Sequence, residues 1–330
     1  MAKCLATFMS GCQANGFPRQ LVGMPCVRFF NCQGSRATTR ATKRGPGFFV
    51  DLGNSALRVA EQLMGYELRD RVVFITGASG GIGRACAVEF FRAGAKVAAA
   101  ARSVEKLRAL AAELDEARVL PVELDVTDEG QRTAAVARAV ARFGPIDVLV
   151  NNAGWASFAS VLRTPPEHIE RMLRLNLAGP IALIQAVLPE MIKRRMGQII
   201  NIGSVVGHQP IPNMTIYSAT KAALIALSTG LRMELRGTGV DVLMVAPGST
   251  RTEFFESAES VDVKAVRFSK TQYSPQRVAR AVVRASRRRR PEVTLTVEGR
   301  LITVIRRVSR RAADGIMYQV AKRAMPTVRP

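Results

Sequence analysis

Apolar residues change their spacing along this chain in a regular way. Val72–Ile75 is a short apolar, β-rich run, and the stretch that follows it, through Ala93, carries a helical pattern. Lys96–Ala101, Val119–Leu124, Ile146–Val150, Gln198–Ile202 and Val240–Val245 read as further strands. Between them, Ser103–Glu116, Asp128–Phe143, Glu167–Met196 and Thr215–Arg236 repeat their apolar residues at helical spacing. Strand and helix in alternation predict an α/β fold, a doubly wound parallel sheet with helices on both faces. A last strand is expected at Glu292–Val297, which closes a single domain over residues 70–297. Before it, residues 1–50 form an unassigned basic arm, and 51–69, with Leu57, Val59, Ala60, Leu63 and Met64, a lead-in helix. After it, 298–330 predicts a basic amphipathic helical extension. No apolar run reaches the roughly 18 residues that would suggest a membrane span.

Chemistry concentrates at the ends of the predicted strands. Val72–Ile75 runs straight into Thr76, Gly77, Ala78, Ser79, Gly80, Gly81, Ile82 and Gly83, then into helix. Glycines let such a turn close tightly and let a pyrophosphate approach the unpaired N–H groups of the helix N-terminus. The strand ending near Val150 leads into Asn151, Asn152, Ala153 and Gly154, a small polar loop of the kind that lines crevices in open parallel sheets. Further on, Tyr217 and Lys221 stand one helical turn apart, with Ser204 upstream. A lone pair of this spacing is commonly a surface contact. An ammonium beside a phenol also favours the phenolate and makes the tyrosine a candidate acid or base.

Taken in order, Thr76-Gly77-x3-Gly81-x-Gly83, Asn151-Asn152-Ala153-Gly154, Ser204 and Tyr217-x3-Lys221 resemble the single-domain branch of the short-chain dehydrogenase/reductase family, firmly over about residues 70–250. The resemblance implies a Rossmann fold and several residue roles. Tyr217 would donate or accept the hydroxyl proton, Lys221 would hold the nicotinamide ribose and depress the Tyr217 pKa, and Ser204 would hydrogen-bond the substrate oxygen. Asn176, in Leu175-Asn176-Leu177-Ala178-Gly179, matches the family's helix-kinking asparagine that completes a proton relay through water. Gly77, Ser79, Gly81, Ile82, Gly83, Asn151, Ala153 and Gly154 would line the dinucleotide, with Pro247, Gly248 and Thr252 covering the nicotinamide amide. Asp125 matches the position that contacts adenine, and it also suits the opening of the next helix. At the end of the second strand stand Ala101 and Arg102 where an acid would bond the ribose of NAD, so NADP is the expected cofactor and NAD the less expected one.

The implied activity is hydride transfer between nicotinamide and a carbonyl or secondary alcohol. Trp155, Phe158, Ile211, Met214, Phe254 and Phe255 near the cleft suggest a lipophilic substrate. The alternative is an NADP-binding sensor or scaffold without turnover. Relatives of this kind often form dimers or tetramers, for which the apolar stretch Pro180–Met191 would serve, unless it is buried on its own sheet.

Charge alters the picture only at the ends. The chain of 330 residues carries a formal +22, yet residues 1–50 hold seven Lys or Arg and no acid, and 264–330 hold eighteen against Glu292, Glu298 and Asp314. Residues 51–263 are left with 23 of each sign and are neutral. In the extension, Leu301, Val304, Ile305, Val308, Ala312, Ile316, Val320 and Ala324 recur at helical spacing among arginines. Such a helix suits an anionic membrane surface, or else packs on its own domain or on another subunit. Nucleic acid is not an expected partner, because the arginines lack interleaved aromatics for base stacking. The basic run Arg287–Arg290 fits a solvated helix end. The first 50 residues resemble a transit peptide in composition without showing its amphipathic helix, and a mis-set start is equally compatible. Of five cysteines, Cys4, Cys12, Cys26 and Cys32 lie in that arm and Cys86 in the domain, at spacings that fit free thiols in a reducing, cytoplasmic setting. With only His168 and His208, no metal site is expected.

Overall fold

The computed structural model describes residues 66–252, 254, 258–260 and 272–324. The arm 1–50, nearly all of the lead-in helix and Phe255 lie outside the described residues. The chain starts β1 (Val72–Thr76), α1 (Gly81–Arg92), β2 (Lys96–Ala101), α2 (Val104–Leu114), β3 (Val119–Glu123), α3 (Glu129–Phe143) and β4 (Val148–Asn151). A short strand β5 (Ser157–Phe158) precedes α4 (Pro166–Leu173), a π turn over Arg174–Ala178, and α5 (Gly179–Lys193). Then come β6 (Gly197–Ile202), α6 (Val205–His208), α7 (Thr215–Glu234), β7 (Val240–Ala246), β8 (Glu259–Ser260), α8 (Pro275–Arg287) and β9 (Glu292–Thr294).

Seven strands pair in parallel in the order β3-β2-β1-β4-β6-β7-β9, and β5 pairs separately with β8. Wholly apolar strands are what a sheet covered on both faces requires. In β1, Val73 and Ile75 face a core built with Phe90 of α1, Leu107 and Leu110 of α2, and Val278 and Val282 of α8. Their neighbours Val72 and Phe74 face the opposite core, with Leu183 and Val187 of α5 and Leu231 of α7. This is the expected doubly wound Rossmann architecture. The sheet order reverses between β1 and β4, and at such a switch point a crevice opens beyond the carboxyl ends of the strands.

The structure redraws three predicted elements. Glu167–Met196 is one helical path interrupted by the π turn that holds Asn176. By length and composition, Pro166–Lys193 is apolar enough to cross a membrane, yet Leu183, Ile184, Val187 and Met191 are buried in the core against the sheet. The last strand stops at Thr294, because the Thr296 hydroxyl accepts the N–H of Gly299 at 3.1 Å and so caps a helix, α9 (Val297–Val308). The C-terminal extension is thus two helices. Ser309 leaves helical geometry, and its hydroxyl accepts the N–H of Ala312 at 3.2 Å at the start of α10 (Arg310–Ala324).

Candidate active site

The cleft at the switch point has a volume of about 590 Å³ and runs from Arg102 at one end to Tyr217 and Phe254 at the other. A cavity of that size suits a cofactor or small molecule. Its floor is the glycine turn. Gly77 sits at φ +65°, a conformation that favours glycine. A Cβ on Gly83 would lie 2.2 Å from the Gly77 carbonyl oxygen, so α1 can start against the turn only with hydrogen at that position. Gly80 caps α1 without a side-chain bond, which leaves the first N–H groups to whatever fills the cleft.

Thr76 ties this turn to the end of β4. Its hydroxyl accepts the N–H groups of Asn152 and Ala153 at 2.9 and 3.0 Å and donates to the Val150 carbonyl at 3.3 Å. In return the Asn152 amide donates to the carbonyls of Thr76 and Gly77 at 2.9 and 3.3 Å. Gly77, Ser79, Gly81, Ile82, Ala153 and Gly154 all line the cleft, with Gly83 packed beneath.

Asn151 is a correction. Its side chain is buried and donates to Asn201 Oδ1 at 2.9 Å, and Asn201 donates in turn to Ser228 Oγ at 2.9 Å. Strand alternation causes this: Asn151 pairs with Asn201 across β4 and β6 and shares its face, so its side chain lies within the protein and does not line the cleft.

At the far end, Arg102, Ser103 and Lys106 line the cleft together with Asp125. Burial alone would raise the Asp125 carboxyl, but hydrogen bonds from Thr127 and the charges of Arg102 and Arg174 outweigh it and hold the group below its ordinary value. One Asp125 oxygen accepts both the N–H and the hydroxyl of Thr127, at 2.9 and 2.7 Å. Asp125 therefore lines the cleft and also organises the turn before α3. Lys106 and Ser103 escaped the sequence reading. The usable signal was position, since both lie just past the second strand, Ser103 at the start of α2 and Lys106 in its first turn.

At the near end, α7 carries Tyr217 and Lys221 on one face, both buried, with the Lys221 ammonium 5.7 Å from the Tyr217 ring centre. Lys221 Nζ donates to the Ile202 carbonyl at 3.1 Å, and Ser204, at the start of α6, joins Tyr217 by a side-chain hydrogen bond. Burial pushes the Tyr217 phenol above its ordinary value and the Ser204 bond pulls it back in part. Burial also brings Lys221 down from 10.5 to about 8. The expectation that Lys221 depresses the phenol is therefore not what governs here: desolvation of both groups sets both directions.

Asn176 stands one layer behind. Its Oδ1 accepts the Trp155 N–H at 2.9 Å, and its Nδ2 donates to the Trp155 carbonyl at 2.8 Å and to Thr220 Oγ1 at 3.1 Å. A Cβ on Gly154 would approach Asn176 Oδ1 to 3.1 Å and Lys221 Nζ to 3.6 Å, so these two groups flank the same small space. Pro247, Gly248 and Thr252 close the cleft from the loop after β7, with Thr252 within 3.2 Å of a Cβ built on Gly81. Ile211, Met214, Val206 and Phe254 form its apolar wall. Behind that wall, Trp155 takes the Arg171 guanidinium over its ring at 4.0 Å, and Glu259 pairs with both Arg171 and His168, at 3.0 and 2.9 Å. This brace joins β8 to α4.

Such a crevice, with a glycine turn at its base and a Ser-Tyr-Lys group at its mouth, defines a dinucleotide-dependent dehydrogenase site. The short chain dehydrogenase family model matches residues 71–262, and the chain belongs to this family of oxidoreductases acting on CH–OH groups. A relative described as an uncharacterized oxidoreductase from Staphylococcus aureus (strain MW2) is 34% identical over 218 residues, 66% of this chain and 91% of its own length. A solved short-chain dehydrogenase from Streptomyces avermitilis is 32% identical at a TM-score of 0.66, covering 76% of this chain and 98% of that one. An alcohol dehydrogenase from the archaeon Thermococcus sibiricus, solved with 5-hydroxy-NADP, is 29% identical at a TM-score of 0.61, covering 68% and 95%.

Proposed function

We propose that the protein interconverts a lipophilic carbonyl compound and its secondary alcohol with NADP(H) as the hydride carrier, Tyr217 serving as acid and base. The convergence of Ser204, Tyr217, Lys221 and Asn176 at one end of the cleft carries this reading. The cleft fits the cofactor by its chemistry: a glycine turn at an open helix N-terminus for the pyrophosphate, and Arg102, Ser103 and Lys106 for a ribose phosphate. The Thermococcus relative was solved with 5-hydroxy-NADP and a Brucella melitensis reductase with NADH, so the choice of the phosphorylated form rests on Arg102 and Lys106. Bound there, the reduced nicotinamide would supply a hydride to the carbonyl carbon.

In this reading Ser204 steadies the substrate oxygen while Tyr217 passes it a proton as negative charge develops. Burial raises the phenol above its ordinary value and so opposes proton release, and the hydrogen bond from Ser204 works against that rise. Lys221, lowered to about 8, exchanges protons near neutrality, and Asn176 continues the relay on the far side of Gly154. The apolar wall of Ile211, Met214 and Phe254 supports a lipophilic substrate, and the basic charge of the C-terminal helices supports work at an anionic membrane surface.

The test is carbonyl reduction by the full chain and by Tyr217→Phe, followed at the nicotinamide absorbance with a panel of lipophilic ketones and NADPH. Loss of about 10²–10⁴-fold in kcat is expected. A variant as active as the parent, or a parent with no turnover on any ketone, sinks the proposal and leaves a cofactor-binding sensor.

A further inference from the structure

Helix α9 turns four of its apolar residues outward, while Ile302 and Ile305 are half-buried. Val297, Leu301, Val304 and Val308 recur at a spacing that one helix face collects, and they are 70, 58, 53 and 85% exposed. Arg300 and Arg307, each one residue before a member of the stripe, are exposed beside it, and Arg310 and Arg311 are exposed just beyond. Contiguous apolar surface of this kind marks an interaction site.

The opposite side of α9 rests on the cleft itself. A Cβ on Gly299 would lie 2.5 Å from Val205 Cγ1, and one on Gly248 would lie 2.5 Å from Thr296 Cγ2; Val205 and Gly248 both line the cleft. After Ser309, α10 returns to the same end. Its Ala321 is buried in the apolar cluster of Trp155, Ile211, Met214 and Tyr217, Met317 packs against that cluster, and Gln209 Nε2 donates to Asp314 Oδ1 at 3.0 Å. One side of the helix pair thus backs the substrate wall while the other offers an arginine-edged apolar stripe.

Charge complementarity selects the occupant of that stripe. Between Val297 and Lys322 the helix pair carries Arg300, Arg306, Arg307, Arg310, Arg311 and Lys322 against Glu298 and Asp314, a balance suited to anionic headgroups, and the narrow stripe suits the boundary between headgroups and acyl chains. We propose that α9 seats the protein on an anionic bilayer through Val297, Leu301, Val304 and Val308, and that this contact holds the substrate end of the cleft at the membrane, from which its lipophilic carbonyl substrate is drawn. The second half of the proposal rests on the reductase reading above.

The experiment uses the full chain with vesicles of phosphatidylcholine, with and without phosphatidylglycerol, at low salt. Sedimentation reports binding, light scattering in solution reports oligomeric state, and reduction is followed for a water-soluble ketone and for a long-chain ketone dissolved in the vesicles. The parent is expected to bind the anionic vesicles and to bind the neutral ones far more weakly. Leu301→Glu with Val308→Glu should weaken binding on the order of a hundredfold, and Arg300→Gln with Arg307→Gln on the order of thirtyfold. Both variants should reduce the soluble ketone at the parental rate and lose the vesicle-borne ketone in proportion to binding.

A parent that ignores anionic vesicles overturns the proposal, as does a glutamate variant that binds them like the parent. So does a glutamate variant that falls apart from dimer to monomer with its vesicle binding unchanged, since the stripe is then covered by a second copy. Vesicle binding by a protein that reduces no ketone would refute the reductase reading and leave the membrane face standing. Unchanged reduction of the vesicle-borne ketone by the unbound variants would refute delivery from the bilayer.

Discussion

Replacing Thr76 by Val keeps the shape of the side chain and removes one oxygen. That oxygen accepts two backbone N–H groups, of Asn152 at 2.9 Å and Ala153 at 3.0 Å, and its proton goes to Val150 O at 3.3 Å. An unsatisfied buried donor costs about 1–3 kcal/mol. Both donors belong to half-buried residues, so the lower half of that range applies to each, and the pair should cost about 2–4 kcal/mol. For a domain of this size that is a fall of about 4–16 °C in melting temperature. The same substitution releases the end of β4 from the glycine turn, so NADPH affinity should fall with it. Thermal unfolding and fluorescence titration with NADPH read the two effects, and Thr76→Ser, which keeps the hydroxyl, should stay close to the parent in both. A Thr76→Val protein that melts within about 1 °C of the parent and binds NADPH equally well would refute the claim that this hydroxyl joins the two halves of the cradle.

Lys221 should leave a signature in the pH dependence of stability without cofactor. Its pKa is about 8 in the fold against 10.5 unfolded, so between these values the unfolded chain holds the extra proton and stability rises with pH. Tyr217, raised in the fold, opposes this above its ordinary value of 10.0, where the folded state keeps its proton longer. Burial also raises the Cys86 thiol from 9.0 to about 12, which opposes the rise above pH 9, so denaturant unfolding between pH 8 and 9 should show an upward slope that Lys221→Met removes; a slope that survives the substitution counts against the assignment. Arg102→Ala with Lys106→Ala should lower kcat/KM for NADPH relative to NADH by about 10–100-fold, the loss of charge-assisted bonds to a phosphate, and steady-state kinetics with an unchanged ratio would disprove phosphate recognition there. Gly83→Ala should cost about 1–3 kcal/mol and weaken NADPH binding, because its methyl group meets the Gly77 carbonyl; calorimetric stability equal to the parent would show that the turn can yield.

Much of the fold was legible because β1, β2, β4, β6 and β7 are buried on both faces and are therefore mostly apolar, with polar residues such as Asn151 and Asn201 paired inside. The glycine turn and the Tyr217–Lys221 spacing were legible because they express local backbone rules. Where a side chain points at the end of a strand was not, since it depends on register with a distant partner, and Asn151 was misjudged for that reason. Lys106 and Arg171 carry no motif that marks them in the sequence, and only the fold brings them to the cleft. The periodicity of the C-terminal extension could show that two faces differ, but which one meets the body is a tertiary matter. Helical spacing likewise brings Lys221 near Tyr217, whereas only burial reveals that dehydration outweighs attraction.

The π turn at Arg174–Ala178 carries a residue more than a regular helix would accommodate in the same rise. Ironing it out would rotate everything downstream by about 100°. Leu183 and Val187 would then swing off the sheet, or else the Asn176 amide would swing away from Trp155 and Thr220. Neither half can be corrected without spoiling the other. A single-residue deletion in this segment should consequently be far harder to tolerate than one in any surface loop, and a chain lacking it would have to choose between a sound interior and a working amide.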